Sequence, residues 1–279
     1  MNSRHIVCFT FLLLLQACSS IPTTQNRSDT ALHLANSHGW QSQLLTTSSF
    51  QLQSFVPKNS KPSKRLTIYI EGDGLAWLSR RKISSDPTPI DPLVLKLAVQ
   101  DKQAVYLARP CQYINSDTCD KKVWTSARFS AEVVESMNQA VTELKNQFQA
   151  SSLRLIGYSG GGAIATLLAA ERDDVDQLVT VAGNIDTTAW TEMQHISALT
   201  DSLNPADAWQ KLTDVPQIHF VGSEDKIMPE AVAKSYQQHF PDSRQPEVRV
   251  ITGMTHHCCW AEHWPELLME ISASDLEIE

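Results

Sequence analysis

Apolar stretches typical of β-strands alternate with stretches typical of α-helices along most of this chain. Residues 66–70, 104–108 and 153–158 are largely apolar, whereas 126–148 places its apolar residues on one helical face. Strands that are apolar on both sides occur in parallel sheets, because the connecting helices cover both faces. The sequence therefore predicts an α/β fold with a mostly parallel central sheet and helices on both faces.

Two other segments complete the predicted domain. Residues 42–57 form two short alternating runs around a polar turn, which indicates an antiparallel N-terminal hairpin. The stretch 186–213 has no clear periodicity and could be a small cap or a connection. Residues 39–279 are long enough for one sizeable core, and no repeat or second domain is indicated, so we predict a single domain over this range.

The N-terminus has the pattern of a secretory signal. Arg4 precedes an apolar run, Ile6–Leu15, that is too short to span a membrane comfortably. Leu15-Gln16-Ala17-Cys18 resembles the lipobox of bacterial lipoproteins, in which cleavage precedes a cysteine that carries a diacylglyceryl group. This resemblance implies a lipoprotein signal peptide over 1–17, with Cys18 as the lipidation site. The alternative is an ordinary secretory signal with a chance cysteine.

The segment 18–38 is mostly polar and is expected to be a flexible tether between the lipid and the domain. By resemblance to enterobacterial sorting, Ser19 in place of aspartate favours the outer membrane. We therefore expect a bacterial envelope protein that contacts the membrane through its lipid anchor.

The charge of the chain bears on whether it binds nucleic acid. The formal net charge is −8, and basic residues occur only in short runs such as Arg80-Arg81, so nucleic acid is not an expected partner.

Of the six cysteines, Cys8 falls in the predicted signal peptide and Cys18 is the lipidation candidate. The other four cysteines are disulfide candidates in an oxidising compartment and lack the spacing of a metal site. They are Cys111, Cys119, Cys258 and Cys259, and the sequence leaves their pairing open.

The motif Gly157-Tyr158-Ser159-Gly160-Gly161 lies directly after a predicted strand and before a predicted helix. This is G-x-S-x-G in the strand-turn-helix setting that presents a serine hydroxyl as a nucleophile. A glycine-rich turn without chemistry is the alternative. A phosphate-binding loop is disfavoured, because no lysine follows and the spacing differs from a dinucleotide fingerprint.

A serine nucleophile needs a general base and a carboxylate to orient it. Asp225 follows the predicted strand 218–222, and His256 follows the predicted strand 248–252. Because the carboxyl ends of parallel strands share one edge of a sheet, both residues are expected beside Ser159. Glu224 and, less favourably, Asp186 are alternative acids.

From about Leu66 onward, these features in the order Ser, Asp, His resemble an α/β-hydrolase. The segments RPCQY, GYSGGGA, VAGN, SLNP and HHCCW further resemble a group of bacterial envelope lipoprotein α/β-hydrolases with no assigned substrate. The resemblance implies Ser159 as nucleophile, His256 as base and acid, and Asp225 as its orienting carboxylate. His257 is an alternative base, although the Gly253-x-x-His spacing favours His256.

The resemblance also implies an oxyanion hole. One donor would be the backbone N–H of Gly160, and the second Asp73 or Gly74 in the loop after the first parallel strand. That loop reads Glu-Gly-Asp-Gly, so Glu71 and Asp73 could instead be simple turn formers.

The expected function is hydrolysis of a small acyl substrate, an ester or alternatively a thioester or amide, with neither metal nor organic cofactor. Arg109, at the end of a predicted strand, could bind a substrate carboxylate or tie down a loop. The competing interpretation is a catalytically silent lipoprotein of the same fold that binds or scaffolds a partner, since a fold alone does not establish activity.

Overall fold

The computed structural model describes residues 21–59 and 61–276, so the predicted signal peptide and the lipidation candidate Cys18 lie outside the described residues. The strands are β1 (Trp40–Thr46), β2 (Gln51–Pro57), β3 (Arg65–Ile70), β4 (Trp77–Ser79), β5 (Lys82–Ile83), β6 (Ala104–Leu107), β7 (Ser152–Tyr158), β8 (Val175–Val181), β9 (Gln217–Gly222) and β10 (Glu247–Ile251). The α-helices are α1 (Thr24–Ser37), α2 (Leu93–Ala98), α3 (Ala131–Gln147), α4 (Gly160–Glu171), α5 (Thr187–Met193), α6 (Glu230–Gln237) and α7 (Trp260–Leu276). Short 3-10 helices cover Lys121–Trp124, Pro205–Leu212 and Asp242–Arg244.

Eight strands form one sheet in the order β1-β2-β6-β3-β7-β8-β9-β10. From β6 to β10 along this order, neighbouring strands are parallel, and Ile68 of β3 pairs with Val105 on one side and Leu155 on the other. β1 and β2 form an antiparallel hairpin, and β2 is also antiparallel to β6. The predicted mostly parallel sheet and N-terminal antiparallel hairpin are confirmed.

The strands bury both faces, which explains their nearly continuous apolar sequence. In β3, Leu66, Ile68 and Ile70 pack in the cluster that contains the apolar sides of α3 and α4. Tyr69 points to the opposite face, where α1, α2 and α7 supply the partners, and its hydroxyl accepts a hydrogen bond from Trp264. The sheet is thus covered by helices on both faces, as predicted.

Helix α1 occupies most of the segment 18–38, which was expected to be a flexible tether. Its Ala31 and Ala35, one turn apart, are buried in the core cluster of the α2 and α7 face. Arg27 is only 4% exposed and donates from Nη1 to the carbonyl of Thr88. Small side chains permit close helix packing, so this mostly polar helix docks through a narrow apolar face and the buried Arg27. Nη1 of that guanidinium is paired, whereas its Nε has no partner among the described residues.

The structure adds one element that the sequence did not predict and defines the irregular stretch 186–213. β4 and β5 form a small antiparallel hairpin that the sequence did not indicate, after the loop that follows β3. The stretch 186–213 contains α5 and the 3-10 helix Pro205–Leu212, which packs near α4. Within the described residues, no helix is both long enough and apolar enough to cross a membrane.

Candidate active site

Ser159 stands at the sharp turn between β7 and α4. Its backbone has φ 51° and ψ −121°, a left-handed conformation that non-glycine residues rarely adopt. The turn is tied to the end of β8, since the N–H of Ser159 donates to the carbonyl of Val181 at 3.0 Å. The carbonyl of Ser159 accepts from Gly162 and Asn184, each at 2.9 Å. These bonds hold the strained serine at the carboxyl edge of the sheet.

The glycines around Ser159 are required by close backbone contacts. A β-carbon at Gly157 would lie 2.2 Å from the carbonyl oxygen of Gly161. One at Gly161 would lie 2.2 Å from the carbonyl oxygen of Ile70 in β3. Because real contacts of this kind are far longer, only glycine allows the helix to start so close to the sheet.

A chain of hydrogen bonds joins Ser159 to His256 and Asp225. Ser159 Oγ lies 3.0 Å from His256 Nε2, and His256 Nδ1 lies 2.8 Å from Asp225 Oδ2. An ionised carboxylate can only accept, so the imidazole proton belongs on Nδ1 and leaves Nε2 to accept from the serine hydroxyl. The histidine and the aspartate are 6% and 5% exposed, whereas Ser159 is partly exposed at the surface.

The other carboxylate oxygen and the histidine backbone are also held in place. Asp225 Oδ1 accepts from the backbone N–H groups of Ile227 at 2.8 Å and Met228 at 2.7 Å. The carbonyl of His256 accepts from the Tyr158 hydroxyl at 2.9 Å and from Trp260 Nε1 at 3.2 Å. The acid and the imidazole are therefore fixed in orientation before any substrate binds.

None of the alternative candidates takes the place of His256 or Asp225 in this hydrogen-bond chain. His257 Nδ1 lies 3.1 Å from the Tyr158 hydroxyl, and burial, followed by the charge of the neighbouring His256, lowers the pKa of His257. Glu224 is exposed, and Asp186 caps α5, accepting from the N–H of Ala189 at 3.1 Å. Within the described part of the chain, none of these three side chains contacts the ring of His256 through a hydrogen bond.

The loop after β3 passes directly against the serine turn. A β-carbon at Gly72 would lie 3.3 Å from Ser159 Cβ, and one at Gly160 would lie 2.0 Å from Asp73 Oδ1. Gly74 has φ 60° and is turned against the carbonyl of Pro87. The backbone N–H groups of Gly160, Asp73 and Gly74 have no acceptor among the described residues. Unpaired donors thus lie on both of the segments that meet beside Ser159.

Asp73 is paired with two buried arginines. Arg109 Nη1 lies 3.4 Å from Oδ1, and Arg128 Nη1 lies 2.5 Å from Oδ2. Arg109 also donates to the carbonyl of Arg128, and its guanidinium lies 5.2 Å from the centroid of the Phe129 ring. Burial lowers the pKa of Arg109 to about 10, so this group remains protonated at neutral pH. Of the two roles considered for Arg109, the structure gives it that of a loop tie.

Glu71 is a second acid beneath the same loop. Its Oε1 accepts from the N–H of Gly72 at 2.9 Å, and its Oε2 accepts from the Tyr106 hydroxyl at 3.0 Å. Burial raises the pKa of Glu71 to about 7, because removal from water penalises the carboxylate more than these donors favour it. This buried residue therefore holds the start of the loop after β3.

Both cysteine pairs form disulfides. Cys111 is bonded to Cys119, closing a short loop after β6, and Cys258 is bonded to the adjacent Cys259. The second pair follows His256 after one residue, His257, and precedes α7. In the portion of the chain that the structure describes, no group of three or more His, Cys, Asp or Glu side chains is arranged to hold a metal ion.

Two residues of the site were not predicted from the sequence. Tyr158 occupies the variable position of the G-x-S-x-G motif, and only its contacts reveal that it supports the histidine loop. Arg128 fell within the predicted helix 126–148, but it lies in an irregular stretch before α3, and no motif marks it. Its partner Asp73 is distant in sequence, so no local signal could have identified the pair.

No family model and no curated protein sequence matches this chain. Among solved structures, it is similar to Est1E from Butyrivibrio proteoclasticus, with 14% identity, 85% of this chain and 99% of that one covered, and a TM-score of 0.58. It is also similar to the Pyrococcus furiosus esterase Pf2001, with 12% identity, 92% of this chain and 95% of that one covered, and a TM-score of 0.60. An alpha-beta serine hydrolase homologue from Coxiella burnetii has 16% identity, with 81% of this chain and 93% of that one covered, and a TM-score of 0.51. Likeness at this identity establishes the fold: the chain has an α/β-hydrolase fold.

Proposed function

We propose that this protein is a serine hydrolase that cleaves carboxylic esters through a covalent acyl-enzyme. The observation that carries the proposal is the hydrogen-bond chain from Asp225 through His256 to Ser159, built on a serine with a strained, positive φ. This combination of nucleophile, base and orienting acid matches the geometric definition of a catalytic triad. The esterases among the structural neighbours are consistent with the same chemistry.

In the proposed mechanism, Ser159 Oγ attacks the ester carbonyl carbon while His256 Nε2 takes the hydroxyl proton. The oxyanion accepts from the N–H groups of Gly160 and Asp73, and the positive end of α4 adds favourable potential. Collapse of the intermediate breaks the bond to the alcohol, which receives the proton from His256. Water, deprotonated by His256, then attacks the acyl-enzyme and releases the carboxylic acid and free Ser159.

The test is labelling by a fluorophosphonate, followed by intact mass, on the purified full chain in detergent. We expect a single adduct, its loss in Ser159→Ala, and strongly slowed labelling in His256→Ala. His257→Ala is the matched control: its ring packs edge-on against that of His256 at 5.0 Å but forms no hydrogen bond to Ser159, so this variant should label far faster than His256→Ala. Absence of an adduct on folded protein would overturn the proposal and favour the catalytically silent, ligand-binding or scaffold alternative.

Turnover of activated esters, thioesters and anilides by the same preparation tests the substrate class. We expect esters to be cleaved faster than anilides, because the alcohol leaves more readily than an amine. Preferential cleavage of thioesters or anilides would replace the ester assignment while keeping the serine mechanism.

We further propose that the chain is held in the bacterial envelope by a lipid on Cys18, at the outer membrane. The proposal rests on the lipobox-like sequence around this cysteine and on Ser19. α1 begins at Thr24, which would bring the hydrolase domain close to the lipid surface.

A further inference from the structure

Arg128 contacts residues of three separate segments near the candidate site. Its Nε donates to the carbonyl of Thr125 at 2.7 Å, and its Nη1 donates to Asp73 Oδ2 at 2.5 Å. The guanidinium carbon lies 5.9 Å from the centroid of the Trp190 ring. With two hydrogen bonds and an aromatic face, the guanidinium is held in one orientation.

Two of these partners, Asp73 and Trp190, connect Arg128 to the surroundings of Ser159. Asp73 Oδ2 lies 3.0 Å from the position that a β-carbon of Gly160 would take, one residue from the serine. Trp190 Nε1 donates to the carbonyl of Ile227 at 2.8 Å, in the loop that also contains Asp225. Arg128 therefore lies between the oxyanion-side loop and the acid-side loop.

The cluster around Asp73 carries more positive than negative charge. Both oxygens of Asp73 are engaged, one by each arginine, so one carboxylate faces two guanidinium groups. Glu71 is the other nearby acid, and burial raises its pKa to about 7, which leaves it substantially protonated at neutral pH. An excess buried cation is unfavourable without a counter-charge, which a bound anion would provide.

Arg109 and Arg128 differ in whether an N–H donor is available to a ligand. Arg109 donates from Nη1 to Asp73 and from Nη2 to the Arg128 carbonyl, and its Nε is buried without a partner. Arg128 is only 6% exposed, but its Nη2 has no hydrogen-bond partner among the described residues and is not among their fully buried, unpaired atoms, so this nitrogen keeps some contact with solvent. Arg128 is therefore the member of the pair with a donor available to a ligand.

We infer that Arg128 binds a carboxylate of the substrate, and that the preferred substrates are esters with a negatively charged group near the scissile bond. The inference rests on the proposed serine hydrolase function and names its substrate class. The carboxylate could belong to the acyl part or to the alcohol part of the ester, and both would meet the same Nη2 donor.

The experiment compares kcat/KM for matched charged and neutral esters with the full chain at low ionic strength. The acyl-part pair is para-nitrophenyl hydrogen glutarate and para-nitrophenyl valerate, and the alcohol-part pair is carboxyphenyl acetate and phenyl acetate. In one pair, we expect the charged ester to be preferred roughly tenfold or more, the value of one charge-assisted hydrogen bond.

Arg128→Gln should bring the ratio of kcat/KM for the charged ester to that for the neutral ester close to one. Arg128→Lys should retain part of the preference, and Arg249→Gln, at a remote arginine, should retain all of it. The ratio separates binding from structural damage, because a distorted loop would slow both esters of a pair alike. Neutral esters favoured in both pairs, or a charge preference that survives Arg128→Gln, would overturn the inference alone. Failure to cleave any ester or to label Ser159 would overturn the proposed function as well.

Discussion

The two carboxylate oxygens of Asp225 accept hydrogen bonds from different donors, and an amide at this position would keep only one of these acceptors. In Asp225→Asn, the remaining oxygen can still accept from Ile227 and Met228, but the NH₂ group would face His256 Nδ1. It would then favour the tautomer with its proton on Nε2, which cannot accept from Ser159. We expect kcat to fall about 10³ to 10⁴-fold, as measured by steady-state turnover, with little change in thermal stability.

Glu224→Gln is the matched control for this prediction. The side chain is adjacent in sequence and carries the same charge, but it is exposed. It should retain nearly full activity. If the two variants lost activity to the same degree, the assignment of Asp225 as the orienting acid would be wrong.

Glu71 links the stability of the protein to pH. Burial raises its pKa from 4.5 to about 7, so the folded state binds this proton more tightly than the unfolded state does. The stability contributed by the protonated group is fully present below about pH 4.5 and is lost as the pH rises to about 7. Glu71→Gln removes this dependence. Between pH 5 and pH 8 it should gain on the order of 2 to 3 kcal/mol in unfolding free energy relative to the wild type.

Urea unfolding at the two pH values measures this difference, and the exposed Glu266→Gln serves as control. Comparing the change with pH removes the constant effect of replacing a carboxyl group that accepts from Gly72 and Tyr106. A Glu71→Gln variant that runs parallel to the wild type across this range would contradict the raised pKa.

At the scale of elements, α1 is attached to the domain by few contacts of high specificity. Arg27 is buried, donates to the carbonyl of Thr88 and pairs with Asp86 at 3.4 Å. In Arg27→Ala these acceptors lose their donor, which typically costs about 1 to 3 kcal/mol. We expect that loss in urea unfolding, together with faster hydrogen exchange confined largely to α1.

His33→Ala, on the exposed side of the same helix, controls for a general effect on helix formation. It should leave both measurements almost unchanged. Equal protection of α1 in Arg27→Ala and in the wild type would mean that Ala31 and Ala35 suffice to hold the helix.

The whole molecule is expected to reside at a membrane through its N-terminus. Cys18→Ala should abolish incorporation of a labelled fatty acid in cells and release the chain from the membrane fraction, because the proposed attachment uses the thiol of this residue alone. Cys8→Ala, within the predicted signal peptide, should remain labelled. Continued labelling of Cys18→Ala would refute the lipoprotein proposal.

The sequence by itself determined the architecture and the edge at which the site forms. Apolar runs of strand length, separated by helical periodicity, require a parallel sheet covered on both faces, and chain order then brings the ends of β7, β9 and β10 together. The small residues around Ser159 predicted its turn for the same reason that the structure needs them, namely close backbone contact.

Only the tertiary structure decided which side chains meet at that edge. His256 and His257 are neighbours, as are Glu224 and Asp225, and the direction of each side chain separates them. The contact of Arg128 with Asp73 depends on loops far apart in sequence. Local patterns report how a segment buries its own surface, whereas such contacts arise from how distant segments pack against one another.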